Sequence, residues 1–497
     1  MGNSSMTLAI VLVYLAIITG IIIWTGTKAK KTYKDFALGG NDIPWLVVAG
    51  TMFATTVGGG TMIGYVGNYK ALGLQWMWVP TTGFCLGMVL AGFVLAPRLR
   101  ALNQVTTGDM LGIRYGNTAK MIASGLNCLG EIAVVVSMSS SFATMAGGYL
   151  GLNYDAALIG GIIIFYISAT LGGLKGVAWT DAIQAIIIFF TVVIVAVLSW
   201  GSLQQAGGFA AIPANLMDPF AENMNWLTMS GNIISALLMS VCMQSLFIQR
   251  INATKSASDA KKATLFNAVM CGAFMVFGIG LIGVTASITT PPEASGNNVI
   301  TAILADMPTI LGALYASSII AAVLTTANSM LLSCSMCIVR DFMGVVKPEL
   351  KNDDKKQLLY SKVIMAVVAI LSIFVVKAAP SIMSWILMVY TIIGCLAFPL
   401  YYGLMSKKPT PLSGVLGLAM GGGVAIIWEA LNMFKARPEA LANVHAVWFG
   451  LLFGIIGCFI GNFSSKKSTP EQLAAVDAFS KGIAYDDAVA QLHASSK

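Results

Sequence analysis

Three consecutive glycines, Gly58, Gly59 and Gly60, lie inside an apolar stretch that runs from about residue 44 to 70. Glycine disfavours a helix interior by about 1 kcal/mol per residue, so this stretch is predicted to be a broken helix. Inside a bilayer, irregular backbone is tolerated only where it is buried in protein or lines a cavity. The glycine run therefore predicts an ion or solute site near the middle of a membrane, and a transport function.

Two neighbouring hydroxyl side chains, Thr325 and Thr326, occur in another apolar segment. Ala322 precedes them by three and four residues, so the three share one face of a predicted helix. Two hydroxyls and a carbonyl form an oxygen-only surface suited to an alkali cation, and unwound backbone supplies further carbonyls in transporters. The alternative is that these hydroxyls only hold helices together. Combined with the glycine break, the cluster favours the ion site.

Two carboxyl groups, Glu131 and Asp181, fall within apolar segments, where ionisable groups are costly and commonly functional. No Lys or Arg is predicted deep in these segments. Glu131 could be a neutral carboxyl bonded to a neighbouring helix, a counter-charge for an amine-bearing solute, or a proton relay. Asp181 opens a predicted helix, where it could complement the helix dipole or line an ion exit route.

The eight cysteines all lie in apolar segments, where they are expected to pack as small hydrophobic side chains. Cys334 and Cys337 have the spacing of a redox or metal pair, but the sequence offers no second pair and no nearby histidine. No pairing of a nucleophile with a base is visible either. The sequence therefore predicts neither a resident metal centre nor an enzyme.

The composition indicates a membrane protein with many helices. The 497 residues are 57% hydrophobic and 10% charged, and the mean hydropathy is +0.81. The net charge of +8 is spread over short loops, so it does not indicate nucleic-acid binding. Thirteen transmembrane helices are predicted, near residues 6–26, 44–70, 73–97, 119–149, 154–173, 178–201, 228–250, 263–288, 309–340, 359–378, 381–405, 410–433 and 444–464.

The distribution of basic residues predicts the orientation of the chain. Of the 29 Lys and Arg residues, all but Lys70, Lys377, Lys435 and Arg437 fall in segments that are cytoplasmic if the N-terminus is outside. This bias agrees with the positive-inside rule. We expect a multi-pass protein of the inner (plasma) membrane, with a transmembrane domain over residues 1–465 and a short cytoplasmic tail over 466–497.

At the level of motifs, residues 35 to 465 resemble the sodium:solute symporter family. The matching segments, in order, are Asp35–Gly40, Ala54–Gly60, Gly172–Gln184, Gln249–Arg250 and the Ala322–Thr326 cluster. The resemblance implies secondary active transport by an all-α polytopic fold with a five-plus-five inverted-repeat (LeuT-like) core. The two repeats would span about residues 44–201 and 228–405.

The resemblance also implies sodium as the coupling ion. The family's principal sodium site corresponds here to the backbone carbonyls of Ala54, Val57 and Ala322 and the hydroxyls of Thr325 and Thr326. Some members hold a second sodium with an acid that corresponds to Asp181 and the same two hydroxyls. A stoichiometry of two sodium ions is therefore possible in principle, and one ion is the alternative.

The solute is predicted from differences between branches of the family. The glycine break resembles the choline-transporter branch, but the positions of its aromatic cage are Thr56, Val134 and Gln244 here. The sialic-acid branch has an Arg at the position of Glu131, and the sugar branch has a Tyr at that of Leu246. An acid at the first position and no Tyr at the second favour a small amine-bearing or zwitterionic solute.

The predicted solute-binding residues surround the glycine break: Thr56, Gly58, Gly60, Thr61, Trp78, Thr82, Glu131, Gln244 and Tyr390. Two alternatives stay open at this point. The first is a proton-coupled symporter of the same fold, and the second is transport of a neutral or carboxylate solute. The expected partners are the solute and membrane lipid, and the sequence implies no oligomer.

Overall fold

The computed structural model describes residues 4–28, 33, 36, 39–222, 224–242, 244–377, 382–433, 436–464 and 466–495. This part of the chain is helical, and its one pairing of extended backbone is an isolated bridge between Ile43 and Thr254. The predicted all-α class is confirmed. Parts of the predictions fall outside the described residues, namely Asp35, Ala37 and Leu38 of the first motif and the basic residues Lys30, Lys31, Lys34, Lys435 and Lys497.

The first half of the chain contains seven main helices. They are α1 (Ser4–Lys28), α2 (Trp45–Thr56), α3 (Gly60–Met77), α4 (Val79–Leu102), α5 (Thr107–Tyr115), α6 (Asn117–Gly148) and α7 (Tyr154–Gln205). The helix α7 has 52 residues and is interrupted at Gly173, whose φ of 53° and ψ of −174° are not helical. It therefore contains two of the predicted spans.

The second half contains ten main helices, followed by two in the tail. They are α8 (Trp226–Cys242), α9 (Ser245–Ala253), α10 (Ala257–Thr289), α11 (Asn298–Ala305), α12 (Thr309–Val346), α13 (Asp354–Val376), α14 (Ile382–Gly394), α15 (Ala397–Met405), α16 (Pro411–Met433), α17 (Ala446–Asn462), α18 (Pro470–Lys481) and α19 (Tyr485–Ser495).

The described helices limit the number of membrane crossings but do not determine it. Among the described residues, nine helices are long and apolar enough to cross a membrane, or ten if the bent pair α2 and α3 is one span. Two shorter apolar helices, Met6–Ile21 and Ala446–Asn462, lie at the two ends of the predicted transmembrane domain. The chain is therefore a multi-pass helical protein, and the count of thirteen stays a prediction.

The glycine run forms the predicted break. The helices α2 and α3 meet at an angle of 54° across residues 57–59. A Cβ on Gly58 would lie 2.5 Å from the hydroxyl oxygen of Thr326, and a Cβ on Gly59 would overlap the side chain of Ser141. Glycine is required here because neighbouring helices approach the backbone closely, which larger residues would prevent.

A second break interrupts a span that was predicted to be continuous over residues 228–250. α8 ends at Cys242 and α9 begins at Ser245, and between them Gln244 has a φ of −40° and a ψ of 148°. The carbonyl of Gln244 accepts the backbone N–H groups of Phe247 and Ile248, which starts α9. Trp226–Ala253 is still one of the nine segments long and apolar enough to cross a membrane, and the break within it was not predicted because no Gly or Pro marks it in the sequence.

Burial separates a central group of helices from a peripheral one. In the most apolar 18-residue stretch of each helix, 83% of the residues of α12 and 72% of those of α6 are buried. The corresponding share is only 33% in α7, α13 and α16, which expose large apolar side chains such as Phe190 and Phe374. Exposed apolar side chains on long helices are suited to lipid. The central helices α6 and α12 both contribute residues to the candidate site, together with α2.

Candidate ion and solute site

The end of α2 brings backbone carbonyls and threonine hydroxyls together. The last four carbonyls of a helix have no N–H partner within it, and α2 ends at Thr56. Thr325 donates its hydroxyl to the carbonyl of Ala54 at 2.9 Å, and Thr326 donates to that of Thr55 at 2.9 Å. Both hydroxyls also lie 2.9–3.0 Å from the carbonyl of Ala322. Five oxygens therefore meet where α12 contacts the break.

The structure brings together most of the predicted sodium ligands. Ala54, Ala322 and the two threonines are in mutual contact, and Thr55 joins them, which the sequence reasoning missed. Val57 is buried at the break itself, directly after the α2 carbonyls. The negative end of the α2 dipole also points at this cluster, and it favours a bound cation. The cluster is therefore chemically suited to a small hard cation.

Asp181 is placed differently from the prediction. Its carboxylate accepts a hydrogen bond from Thr51 at 2.6 Å and lies 3.5 Å from the guanidinium of Arg250. The side chains of Asp181 and Arg250 are each only 1% exposed. Arg250 also donates to the hydroxyls of Thr51, Thr55 and Ser329. The expectation that no basic residue lies deep in these helices was wrong, because Arg250 is buried beside the ion cluster.

A small cavity adjoins the break on the other side of Thr326. Its volume is about 60 Å³, well below the several hundred Å³ typical of ligand pockets. Its described lining contains no charged side chain and is formed by Thr55, Thr56, Gly58, Gly60, Thr61, Tyr65, Phe84, Val134, Met138, Met239, Gln244, Phe247, Thr326, Met330, Ile386, Val389 and Tyr390. The hydroxyls, the amide and the aromatic rings give it a neutral, mixed character.

Six of the nine predicted solute residues line this cavity. These six are Thr56, Gly58, Gly60, Thr61, Gln244 and Tyr390. The other three, Glu131, Trp78 and Thr82, are not among its lining residues. The indole N–H of Trp78 donates to the carbonyl of Pro219 at 3.0 Å, in the segment between α7 and α8. The structure thus shows both discontinuous helices, the α2–α3 break and Gln244, at one cavity.

Glu131 lies one helical turn from the cavity on α6, since Val134 and Met138 line it. Its Oε1 atom accepts hydrogen bonds from Ser333 and, at 2.9 Å, from Asn127. Ser333 in turn accepts from Gln249 at 3.0 Å. The Oε2 atom is buried and has no hydrogen-bond partner among the described residues. Glu131 therefore belongs to a polar network between α6, α9 and α12 and not to the cavity wall.

A second cluster of charges lies at the side of the molecule predicted to be cytoplasmic. Lys120 pairs with Asp109 at 2.6 Å and with Asp341 at 3.1 Å, and Arg340 pairs with Asp109 at 2.9 Å. Burial opposes ionisation of Asp109, but Arg340 and Lys120 outweigh it, so the pKa of this carboxyl lies below its usual value. The cluster ties α5, α6 and α12 together at this side.

These features define a class of protein: a multi-pass helical membrane protein in which broken helices meet at an oxygen cluster and a small cavity. The sequence profile of the sodium:solute symporter family matches residues 36–441. The chain belongs to that family, as the motifs predicted. Its relatives are transporters and not enzymes, which agrees with the prediction that the chain is not an enzyme.

Two curated relatives are similar to the chain over almost its whole length. The sodium/pantothenate symporter of Haemophilus influenzae is 24% identical over 485 residues, which cover 92% of this chain and 96% of the relative. A sodium/proline symporter of Staphylococcus aureus is 25% identical over 486 residues, with 93% of each chain covered.

Solved structures agree on the fold. A substrate-bound, outward-open Na+-coupled sialic acid symporter superposes with a TM-score of 0.77 at 18% identity and covers 93% of this chain and 99% of its own. A transporter of the nucleobase-cation-symport-1 family in a closed conformation gives a TM-score of 0.57 at 15% identity, covering 90% and 98%. At such identities the similarity concerns the fold alone.

Proposed function

We propose that this protein is a sodium-coupled symporter that imports a small zwitterionic solute. The observation that carries the proposal is the contact of Thr325 and Thr326 with the carbonyls of Ala54 and Thr55 at the break. Five oxygens at one helix end, with no nitrogen or sulfur donor in the set, suit sodium better than a transition metal. The names of the curated relatives support the same ion.

A sodium ion would link these oxygens in place of the hydrogen bonds from Thr325 and Thr326 to the α2 carbonyls, and the two hydroxyls would keep their protons and turn them away from the ion. The proposed ligands are the carbonyls of Ala54, Val57 and Ala322 and the hydroxyls of Thr325 and Thr326. Of the five oxygens in mutual contact, the carbonyl of Thr55 is the one left out of this set, and the carbonyl of Val57, at the break itself, takes its place in the proposal. Bound in this way, the ion would hold the end of α2 against α12. A second sodium at Asp181 would require Arg250 to move, because its guanidinium already supplies the positive charge there. One sodium per cycle is therefore the proposed stoichiometry.

The cavity supports a solute that carries no net charge. Its lining offers hydroxyl, amide and aromatic groups and no formal charge among the described residues. A zwitterion could direct its carboxylate toward the bound sodium, where the helix break is, and its ammonium toward Gln244 and the hydroxyls. Glu131 is one turn away, so it supports a net cation less well than the sequence suggested. One relative is named for a zwitterion, proline, and another for a carboxylate, pantothenate.

Coupling between ion and solute follows from shared residues. Thr55 and Thr326 belong to the oxygen cluster, and both also line the cavity. Sodium that orders these residues therefore pre-forms part of the solute site, and solute must favour sodium binding to the same degree. We further propose that two inverted repeats, residues 44–201 and 228–405, move against each other around this site. Thirteen crossings, an external N-terminus and an inner-membrane location complete the proposal.

The experiment that tests this function is a thermal-stability screen of the purified protein. Amino acids, betaines, amines, carboxylates and sugars are added in sodium medium and in potassium medium of equal ionic strength. A ligand that binds only the native state raises the melting temperature. The expected result is a shift with a small zwitterion that appears only with sodium. Equal shifts in the two media would contradict sodium coupling, and a hit restricted to sugars or to net cations would contradict the solute class.

A proton-coupled symporter of the same fold is the second candidate, and one observation favours it. Glu131 is a buried carboxyl with one oxygen that lacks a partner among the described residues. A proton on that oxygen would move with the transport cycle. Glu131→Gln imitates the protonated form, so proton coupling predicts uptake that no longer depends on pH. Under sodium coupling, the sodium dependence of uptake should be retained in this variant.

A further inference from the structure

Three thiols from two distant parts of the sequence meet beside Glu131. Cys128 and Glu131 are neighbours on α6, and Cys334 and Cys337 are on α12. One ligand atom each from Cys128, Glu131 and Cys334 lie within 4.8 Å of one another, and all three residues are buried. The thiol of Cys128 donates to the backbone carbonyl of Cys334 at 3.8 Å. The expectation that these cysteines only fill space does not account for this convergence.

Two further contacts make the cluster more than a packing arrangement. The amide nitrogen of Asn127 lies 3.6 Å from the sulfur of Cys337, and it donates to Glu131 at 2.9 Å. Asn127 therefore holds the carboxyl beside the thiols. The Oε2 atom of Glu131 is fully buried with no hydrogen-bond partner in the described part of the chain. A buried oxygen without a partner is costly, so a ligand that satisfies it would bind favourably.

The distances between the ligand atoms of Cys128, Glu131 and Cys334 are close to those in a thiolate-rich metal site. Zn–S bonds are about 2.3 Å and Zn–O bonds about 2.0–2.2 Å, so tetrahedral ligand atoms lie roughly 3.6–3.8 Å apart. The three ligand atoms are within 4.8 Å already, and a change of side-chain rotamer could close the remainder. Sulfur ligands select soft or borderline cations over sodium, magnesium or calcium.

We propose that Cys128, Cys334 and Glu131 form a binding site for a thiophilic divalent cation such as Zn2+ or Cd2+. Two thiols lose their protons to the solvent as the cation binds, and two metal–sulfur bonds form. The resulting unit of one divalent cation and two thiolates is neutral, which suits a buried place. Glu131 forms the third bond to the cation as a carboxylate through its Oε2 atom, and the single negative charge that this adds is partly offset by the hydrogen bond that Asn127 donates to Oε1.

The bound cation connects the two central helices and should therefore stop transport. Val134 and Met138 of α6 and Met330 of α12 line the cavity, and Thr325 and Thr326 of α12 form the oxygen cluster. A metal bridge between α6 and α12 fixes the distance between the cavity walls. This site is separate from the proposed sodium site, since two of its three donors are sulfur and Cys334 lies eight residues, about two helical turns, beyond Thr326 on α12.

The test is Cd2+ binding to the purified full-length protein, in potassium medium and without solute. Cadmium–thiolate bonds absorb in the ultraviolet, and the absorbance is titrated against CdCl2 concentration. Because neither sodium nor solute is present, the result does not depend on the proposed transport function. We expect one equivalent of Cd2+ to bind and the affinity to fall at least about 10-fold in Cys128→Ser and in Cys334→Ser.

Cys458→Ser provides the matched control, because Cys458 is equally buried but lies in α17. Its Cd2+ affinity should equal that of the unmodified protein. If a cluster variant does not fold, Glu131→Gln tests the same site separately, and its Cd2+ affinity should fall in the same way. Absence of thiolate absorbance in the unmodified protein, or equal Cd2+ affinity in the cluster variants and the control, would overturn the proposal. Transport that continues with Cd2+ bound would overturn the claim that the bridge stops it.

Discussion

Removal of the two threonine hydroxyls is the most informative perturbation of the proposed ion site. Thr325→Val and Thr326→Val keep the branched shape of the side chain and replace only its hydroxyl with a methyl group. Each hydroxyl contacts one carbonyl at the end of α2 and the carbonyl of Ala322 within α12. In the ion-bound protein, each variant should therefore lose one of about five proposed ligand oxygens while the cavity keeps its volume.

The expected loss of sodium affinity follows from the strength of the interaction between one neutral ligand oxygen and the ion. Hydrogen bonds to charged groups contribute about 1.5–3 kcal/mol, and we take the same range for one ligand oxygen. Since 1.4 kcal/mol is a factor of ten in binding, each variant should raise the half-saturating sodium concentration about 12- to 150-fold. The sodium-free protein should lose only about 1 kcal/mol of stability, because a neutral hydrogen bond is lost.

The assay measures the melting temperature of purified protein against sodium concentration, with potassium keeping the ionic strength constant. Ser318→Ala is the matched control. Ser318 is a buried hydroxyl on the same helix, two turns before Thr325, and it donates to the carbonyl of Tyr315 within α12. We expect the control to have the half-saturating sodium concentration of the unmodified protein. A change below twofold in both threonine variants would refute the site.

Three further perturbations test neighbouring parts of the structure. Gly58→Ala should abolish the sodium-dependent rise in melting temperature, since the new Cβ would lie 2.5 Å from a ligand hydroxyl, whereas Gly423→Ala meets nothing within 4 Å and should behave normally. Arg250→Met should lower stability by about 3–5 kcal/mol because Asp181 becomes an unpaired buried charge, and adding Asp181→Asn should recover part of the loss in a denaturation assay. Asp109→Asn should lower the melting temperature at neutral pH. Because ionised Asp109 stabilises the fold, this difference should persist above about pH 4 and narrow as the pH falls further.

The local features of the site could be predicted from the sequence. The break at Gly58–Gly60 was visible because glycine is both a weak helix former and the only residue that allows such close approach. The shared face of Ala322, Thr325 and Thr326 followed from helical periodicity alone. Their meeting with the end of α2 was a prediction that depended on the family resemblance, since about 270 residues separate the partners.

The features that were missed depend on contacts between distant segments. Arg250 stands near the end of an apolar run, so the sequence placed it in a loop, and only the fold shows that it is buried against Asp181. The break at Gln244 could not be predicted from the sequence, because no Gly or Pro lies near it. Cys128 and Cys334 are 206 residues apart, and nothing in their local sequences indicates that α6 and α12 place them together.

The most direct test of the account is accumulation of the identified zwitterion by proteoliposomes under imposed gradients. A potential of 100 mV and a tenfold sodium gradient supply about 3.7 kcal/mol for one sodium ion, enough for about 500-fold accumulation. The account predicts strong accumulation with an inward sodium gradient at equal pH on both sides, and none when potassium replaces sodium. Equal accumulation in potassium, or accumulation that follows only an imposed pH gradient, would contradict it.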